Sequence, residues 1–168
     1  MHVFDATEHR IDTTCARFPS FPREPAVLVR LVKHIARSVH DAANASLRRH
    51  GINHTDYNIL MMLYGSEDGT ITPSQLAEAA GEKVANITRV CNVLCDKQLI
   101  HRAPSDADRR KVELRLSARG TALLEDLLPD METLLNTSVE GLDAKEQAVL
   151  EQLLKKMLTH TERMRGQA

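Results

Sequence analysis

The sequence predicts a mainly α fold that carries one small β-hairpin. Three observations point to it. Apolar residues recur at three- and four-residue steps over long stretches near both ends of the chain. In the middle, two short helical segments are separated by little more than Gly81. Straight after them, residues 111–116 alternate polar and apolar, the period of a half-buried strand. A length of 168 residues fits one domain, or at most two small ones.

Residues 1–22 read as an irregular, flexible or draped arm. Pro19 and Pro22 interrupt the stretch RFPSFP, and no apolar period starts before Ala26. From Glu24 the pattern is helical: Val27, Leu28, Leu31, Ile35, Val39 and Ala42 form one stripe, and Gly51 stops the run. A helix of about 25 residues exceeds the globular average and needs a neighbour along much of its length. Asn53 can cap a second helix, with Asp56 favourable in its first turn and Ile59, Leu60 and Leu63 on its apolar face. Residues 66–69 (SEDG) form a turn.

Thr72-Pro73-Ser74-Gln75 specifies a helix start. Thr72 can accept from the Gln75 amide, Gln75 can reach back, and Pro73 at the first helical position loses no hydrogen bond. This short helix runs to Ala80 and ends at Gly81. The next places Val84, Ile87, Val90 and Leu94 on one face. Strands are expected at residues 99–102 and 111–116, the second with Val112, Leu114 and Leu116 inward and Lys111, Glu113 and Arg115 outward. The polar loop APSDADRR joins them.

The last third is helical again. Leu123, Leu124, Leu127, Leu128, Met131, Leu134 and Leu135 form a stripe in which Pro129 is expected to introduce a kink. Asp143 with Glu146 marks a further start, and Val149, Leu150, Leu153, Leu154, Met157 and Leu158 carry the pattern on. Stripes this broad exceed what one small globule covers, so the first helix and the last two are expected to pack against a second copy of the chain.

Composition excludes several classes. Lys and Arg total 22 against 23 Asp and Glu, so the average charge marks neither a nucleic-acid nor a membrane-surface protein. No apolar run approaches the roughly 18 residues of a membrane span. MHVFDATEHR lacks the basic and apolar regions of a secretory signal, and three cysteines do not make a disulfide framework. A cytoplasmic location is expected. Aromatics at 3%, with no Trp, argue against stacking platforms for single-stranded nucleic acid.

Charge becomes informative by segment. Residues 1–80 carry 8 basic and 9 acidic side chains, residues 81–119 carry 9 and 5, and residues 120–168 carry 5 and 9. A basic middle between acidic flanks is how a near-neutral chain presents a local face to duplex DNA.

That basic segment holds the spacing of a helix-turn-helix. Ala77 is small where the second helix must approach, Gly81 makes the turn, and Ile87 and Val90 anchor the second helix. Its outward face then carries Lys83, Asn86, Thr88, Arg89 and Asn92, side chains suited to base edges and phosphates: Arg to guanine, Asn to adenine. In the loop, Asp108 and Arg110 are two apart and can pair, holding an arginine extended toward a minor groove. An ordinary polar helix face and a solvated ion pair are the plainer readings of the same residues.

Residues 72–80, residues 81–98 and especially LIHRAPSDADRRKVELRLSARG (residues 99–120) resemble the winged helix-turn-helix of the MarR family of bacterial transcription regulators. The D-x-R motif followed by an L-(S/T)-x-x-G strand end is the more specific part. The likeness runs from about Phe21 to Leu158. FPREPAVLVRLVKHI and the GIN of residues 51–53 are similar to the branch that controls multidrug efflux pumps and aromatic-acid catabolism.

The resemblance implies a winged helix-turn-helix over residues 51–120. Long N- and C-terminal dimerisation helices would occupy residues 23–50 and 121–168, with a β-hairpin as the wing. It implies a homodimeric repressor that binds double-stranded DNA at a pseudo-palindromic operator. The major-groove role falls on Lys83, Asn86, Thr88, Arg89 and Asn92, and the minor-groove role on Arg109 and Arg110 with Asp108. Thr72, Ser74 and Gln75 complete the expected DNA-binding set. Many members carry Ser or Thr early in the recognition helix, where Lys83-Val84-Ala85 stands here, so the operator preference does not transfer.

Small aromatic anions bind between the dimer helices and the winged domain in that family and weaken operator binding. Arg30, His34 and Arg37 lie along one side of the first helix beside an apolar stripe, and Tyr57 and Met61 share a face of the second. Cations beside apolar walls suit a small aromatic carboxylate or other lipophilic effector. Surface or interface ion pairing accounts for the same residues equally well.

Cys91 and Cys95, four apart, read as core cysteines, since two thiols without a matching His make a poor zinc site. Cys15 resembles the position used by peroxide-sensing relatives, but its neighbours Thr14 and Ala16 do not match, which leaves a redox-sensing repressor of the same fold as an alternative. A helical interaction protein that binds no DNA is another. The eight histidines are scattered, and no G-x-S-x-G, phosphate-loop or dinucleotide fingerprint appears, so neither an enzyme, a cofactor nor a metal is expected.

Overall fold

Several helices of this chain begin where a side chain satisfies orphan amides. The computed structural model describes residues 3–104 and 112–166. In order it contains α1 (Asp5–Arg17), α2 (Arg23–Leu47), a 3-10 turn (Arg48–His50), α3 (His54–Tyr64), α4 (Pro73–Ala80) and α5 (Val84–Asp96). The strands β1 (Ile100–Pro104) and β2 (Val112–Leu116) follow, then α6 (Ala118–Val139) and α7 (Ala144–Gly166). The chain divides into two compact units, residues 1–127 and 128–168.

Capping boxes start both α3 and α4. Asn53 Oδ1 accepts from the Asp56 amide while Asp56 Oδ2 accepts from the Asn53 N–H, and Thr72 and Gln75 do the same. Asp143 Oδ1 accepts from the Lys145 and Glu146 amides just ahead of α7. Pro129 lies within α6 without ending it.

The core of the first unit joins Leu47, Ile59, Leu60 and Leu63 to Leu76, Ile87, Leu94, Leu114, Leu124 and Leu127, all essentially without exposure. β1 and β2 pair antiparallel, from Ile100 opposite Leu116 to Pro104 opposite Val112. Ile71 adds a one-residue third strand through two hydrogen bonds with Leu114 (3.2 and 2.9 Å). The hairpin is thereby tied to the residue that precedes α4.

Three sequence expectations need correction. The N-terminal segment is not an irregular arm: residues 5–17 form α1, which packs on α2. Only Phe4 and Ile11 are buried there, and Arg23 Nε holds Asp12 at 2.7 Å, so no apolar stripe announces the helix. In β2, Leu114 is buried, but Val112 is exposed, because it lies at the outer end of the strand. Val84, at the first position of α5, is likewise exposed rather than part of that helix's inner face.

One glycine is fixed by space rather than by dihedral angle. A Cβ on Gly120 would stand 2.0 Å from the Leu99 carbonyl oxygen. That carbonyl is already committed to the Ser117 amide (3.0 Å), and the Ser117 hydroxyl donates to the Gln98 carbonyl and accepts from the Gly120 amide. α6 therefore leaves the wing through a gap that only a hydrogen atom fits. Gly120→Ala should destabilise the fold by about 1–3 kcal/mol or more, measurable as a lower denaturation midpoint. An unchanged midpoint would show that the junction can widen.

Candidate nucleic-acid interface

Gly81 adopts a left-handed conformation (φ 63°), and its amide and that of Glu82 close the end of α4 onto the Glu78 and Ala77 carbonyls. Leu76 and Ala77 face the core on one side of the turn, and Ile87, Val90, Cys91 and Leu94 on the other. With those positions taken, the remaining face of α5 is presented outward. Lys83, which precedes the helix, Asn86, Thr88, Arg89 and Asn92 are all exposed. The structure brings this part of the expected set together on one surface.

A buried carboxylate fixes how α5 sits. Asp56, in the first turn of α3, is the buried charged residue among the described residues. Lys97, at the end of α5, donates to Asp56 Oδ2 at 3.1 Å and to the Gly51 carbonyl at 3.0 Å. A small cleft beside this pair is lined by Asn53, Thr55, Asp56, Arg89, Val90 and Val93, so Arg89 stands at its rim.

Thr72, Pro73, Ser74, Gln75 and Val112 line an open cleft of about 450 Å³ where the start of α4 meets the wing strand. Ser74 is exposed. Thr72 and Gln75 are committed to each other, the Thr72 hydroxyl donating to Gln75 Oε1 at 2.9 Å, which leaves the Gln75 NH2 group for another partner. Asp108, Arg109 and Arg110, the expected wing tip, lie outside the described residues.

A functional candidate that sequence reasoning missed is Arg102 on β1. Its Nη2 donates to Asn92 Oδ1 at 2.5 Å, linking the wing to the outward face of α5. A basic residue inside a strand that follows a recognition helix is the signal that could have found it.

The expected effector set is placed less coherently. Arg30, His34 and Arg37 are exposed on α2, and Arg37 pairs with Asp41 at 3.7 Å. The His34 ring meets Phe4 edge-on, with centroids 6.1 Å apart. Tyr57 and Met61 are half-buried on α3, and burial raises the Tyr57 hydroxyl above its ordinary pKa. No hydrogen bond, ion pair or ring contact among the described residues joins the three α2 side chains to Tyr57 or Met61.

A different histidine makes the link between these helices. The His40 and His54 rings meet at 4.7 Å, and His54 in turn lies 6.3 Å from Tyr57. Asn44 Oδ1 accepts from the His54 backbone N–H at 2.9 Å. Its NH2 group must then donate to His40 Nε2, 2.8 Å away, so neutral His40 carries its proton on Nδ1.

The cysteines fit structural roles. Cys91 is buried, and burial pushes its thiol up to about 11 against the opposing effect of nearby Arg102, so it is not ionised at neutral pH. Cys15 is half-buried, its thiol directed to the Phe21 carbonyl at 3.8 Å. Among the described residues no group of three or more His, Cys, Asp or Glu could hold a metal ion, and no helix is long and apolar enough to cross a membrane.

Comparison with known proteins bears on the same surface. The model of the MarR family matches residues 50–111. The transcriptional repressor MprA of Escherichia coli is 31% identical over 161 residues, covering 96% of this chain and 92% of that protein. The crystal structure of wild-type MarR from E. coli superimposes with a TM-score of 0.66 at 27% identity, over 78% of this chain and 96% of that one. A mutant of that protein complexed with operator DNA gives a TM-score of 0.72 at 24% identity, over 94% and 99%.

The histidine contact makes a pH prediction. His54 is held below its ordinary 6.5, first by burial and then by the charge of His40. A histidine whose folded pKa is depressed leaves the unfolded chain binding more protons. The resistance of the fold to denaturant should therefore fall as pH drops below about 6.5, and His54→Gln should flatten that dependence. Equal slopes for both proteins in urea titrations between pH 7 and 5 would contradict the assignment.

Proposed function

The chain belongs to the MarR family, and from that premise we propose that it is a homodimeric repressor which grips a pseudo-palindromic operator and is released by a small aromatic carboxylate or similar lipophilic acid. Members of this family are DNA-binding transcription regulators and not enzymes, and the relatives include named transcriptional repressors. The observation that carries the reading is the division of α5. Ile87, Val90, Cys91 and Leu94 are spent on the core, which leaves Lys83, Asn86, Thr88, Arg89 and Asn92 outward in the most basic segment of the chain.

In this reading α5 enters the major groove. The start of α4, with Ser74 and Gln75 beside Thr72, faces a phosphate, where a helix N-terminus favours an anion. Asp108 would hold Arg110, with Arg109 alongside, in the flanking minor groove. Arg89→Ala should weaken binding to DNA from the chain's own upstream region by about 1–3 kcal/mol and relax the preference for one base pair. A competition band shift that finds uniform, slight losses would remove Arg89 from the base-reading set.

Pairing of two copies is supported by apolar surface left bare in the single chain. On α2, Leu28 and Ile35 are 58% and 59% exposed, and on α7 Leu153 and Leu158 are 59% and 57%. Monomeric proteins rarely leave such stripes to water. Sedimentation should give twice the chain mass. Leu153→Glu with Leu158→Glu should shift the protein toward monomer and reduce operator affinity at least about tenfold, since half-sites one helical turn apart need both subunits. A fully active monomer would overturn the pairing.

For the effector, Arg30 and His34 are exposed cationic or polar groups beside the apolar stripe of α2, and Tyr57 and Met61 offer a half-buried wall on α3. Benzoate-like acids should release wild-type protein from DNA, and Arg30→Ala and His34→Ala should raise the concentration required. Unchanged release by both variants would place the effector elsewhere.

A further inference from the structure

Three of the outward side chains of α5, Asn86, Thr88 and Asn92, are already held in place by hydrogen bonds within the protein. Asn86 Nδ2 donates to Glu82 Oε2 at 3.1 Å, which turns its carbonyl oxygen outward. The Thr88 hydroxyl donates to the Val84 carbonyl at 2.9 Å, leaving oxygen lone pairs outward. Asn92 is turned the opposite way, because Arg102 Nη2 occupies its Oδ1 at 2.5 Å. The same residue type is thus held by its NH2 group early in the helix and by its oxygen near the end. Only the charge of the neighbour differs, a carboxylate in one case and a guanidinium in the other.

We propose that Arg102 is a positioning residue for operator reading: by holding Asn92 Oδ1 it fixes the side-chain conformation and amide plane in which Asn92 meets a base edge. This rests on the regulator reading above. The adenine contact of an asparagine needs its oxygen to accept from N6–H while its NH2 donates to N7. Arg102 takes one lone pair of that oxygen and so fixes the plane of the amide, which leaves the second lone pair and the NH2 group for a base edge. The bond is charge-assisted, and it strengthens where DNA displaces water from the pair. Arg102 reaches Asn92 from β1, whose antiparallel pairing with β2 holds it in place. The wing strand is thereby linked to α5 through a side chain.

The test is a competition band shift with a panel of single-base-pair changes across the upstream DNA, run on wild type, Arg102→Ala, Asn92→Ala, the double variant and Arg102→Lys. Arg102→Ala and Asn92→Ala should each relax discrimination about five- to tenfold at one and the same base pair. The double variant should relax it no further. Arg102→Lys, which keeps a donor without the planar fork, should restore part of it. Both side chains are exposed, and an unchanged thermal midpoint confirms that the variants fold.

A uniform loss across the panel with a shallower salt dependence would show that Arg102 is only a phosphate contact, and would overturn this inference while leaving the regulator reading intact. A wild-type protein that ignores every sequence in the panel overturns the regulator reading, and this inference with it.

Discussion

Asp56 is the point on which the orientation of α5 turns. Its side chain, 4% exposed, shares the first turn of α3 with Asn53 and takes the ammonium of Lys97 from the end of α5. The apolar contacts among Ile59, Leu60, Ile87 and Leu94 hold α3 and α5 together, but burial of that kind is non-directional. A hydrogen-bonded charge is directional. Successive residues on a helix are about 100° apart, so a slip of one position would turn the polar face of α5 well away from a groove. Lys97 is 37% exposed, so water screens the pair, and its value lies in orientation more than in stability. Because Lys97 also donates to the Gly51 carbonyl, the same ammonium ties the turn before α3 to the end of the helix expected to touch DNA.

What could be read in the sequence divides along the range of the interactions. Capping is local: Asn53 with Asp56 and Thr72 with Gln75 are three residues apart, and both boxes form as their chemistry requires. The helix-turn-helix follows from a left-handed glycine and two apolar faces, and it too was legible. The winged architecture came from the resemblance of residues 99–120, not from alternation alone. Asp56 and Lys97 are 41 residues apart, and nothing in either neighbourhood marks them as partners. α1 was missed for a related reason. Its polar residues answer Arg23 on α2, so its anchor is an ion pair and two apolar side chains rather than a stripe. Periodicity also overcounted the interior, because it assigns Val84 and Val112 to inner faces without knowing that each stands at the outer end of its element.

The candidate DNA face shows the same split at finer grain. Residue type and helix position were enough to nominate Asn86, Thr88 and Asn92. How each side chain is held depends on Glu82, Val84 and Arg102. The first two lie four residues before their partners, Glu82 in the turn ahead of α5 and Val84 at its first position, so both are local contacts. Arg102 is on a strand, and its approach to Asn92 exists only because β1 turns back along α5. Specificity at a base edge is thus partly a tertiary property, even where the reading residue sits on a single helix.

α2 carries two demands at once. Leu28, Val29, Val32 and Ile35 leave an apolar stripe open along its first half, while further along the helix His40 and Asn44 engage the first turn of α3. Asn44 can satisfy the His54 amide and His40 Nε2 together only with its oxygen toward one and its NH2 toward the other. A rotation or shift of α2 would therefore be felt at the start of α3. From there Asp56 passes it to Lys97 and the end of α5. Charged and amide groups make this route directional, and the close-packed apolar contacts around it carry the same displacement. If two copies pair through α2, or an acid seats beside Arg30 and His34, these hydrogen bonds give a movement of α2 a physical route to the end of α5.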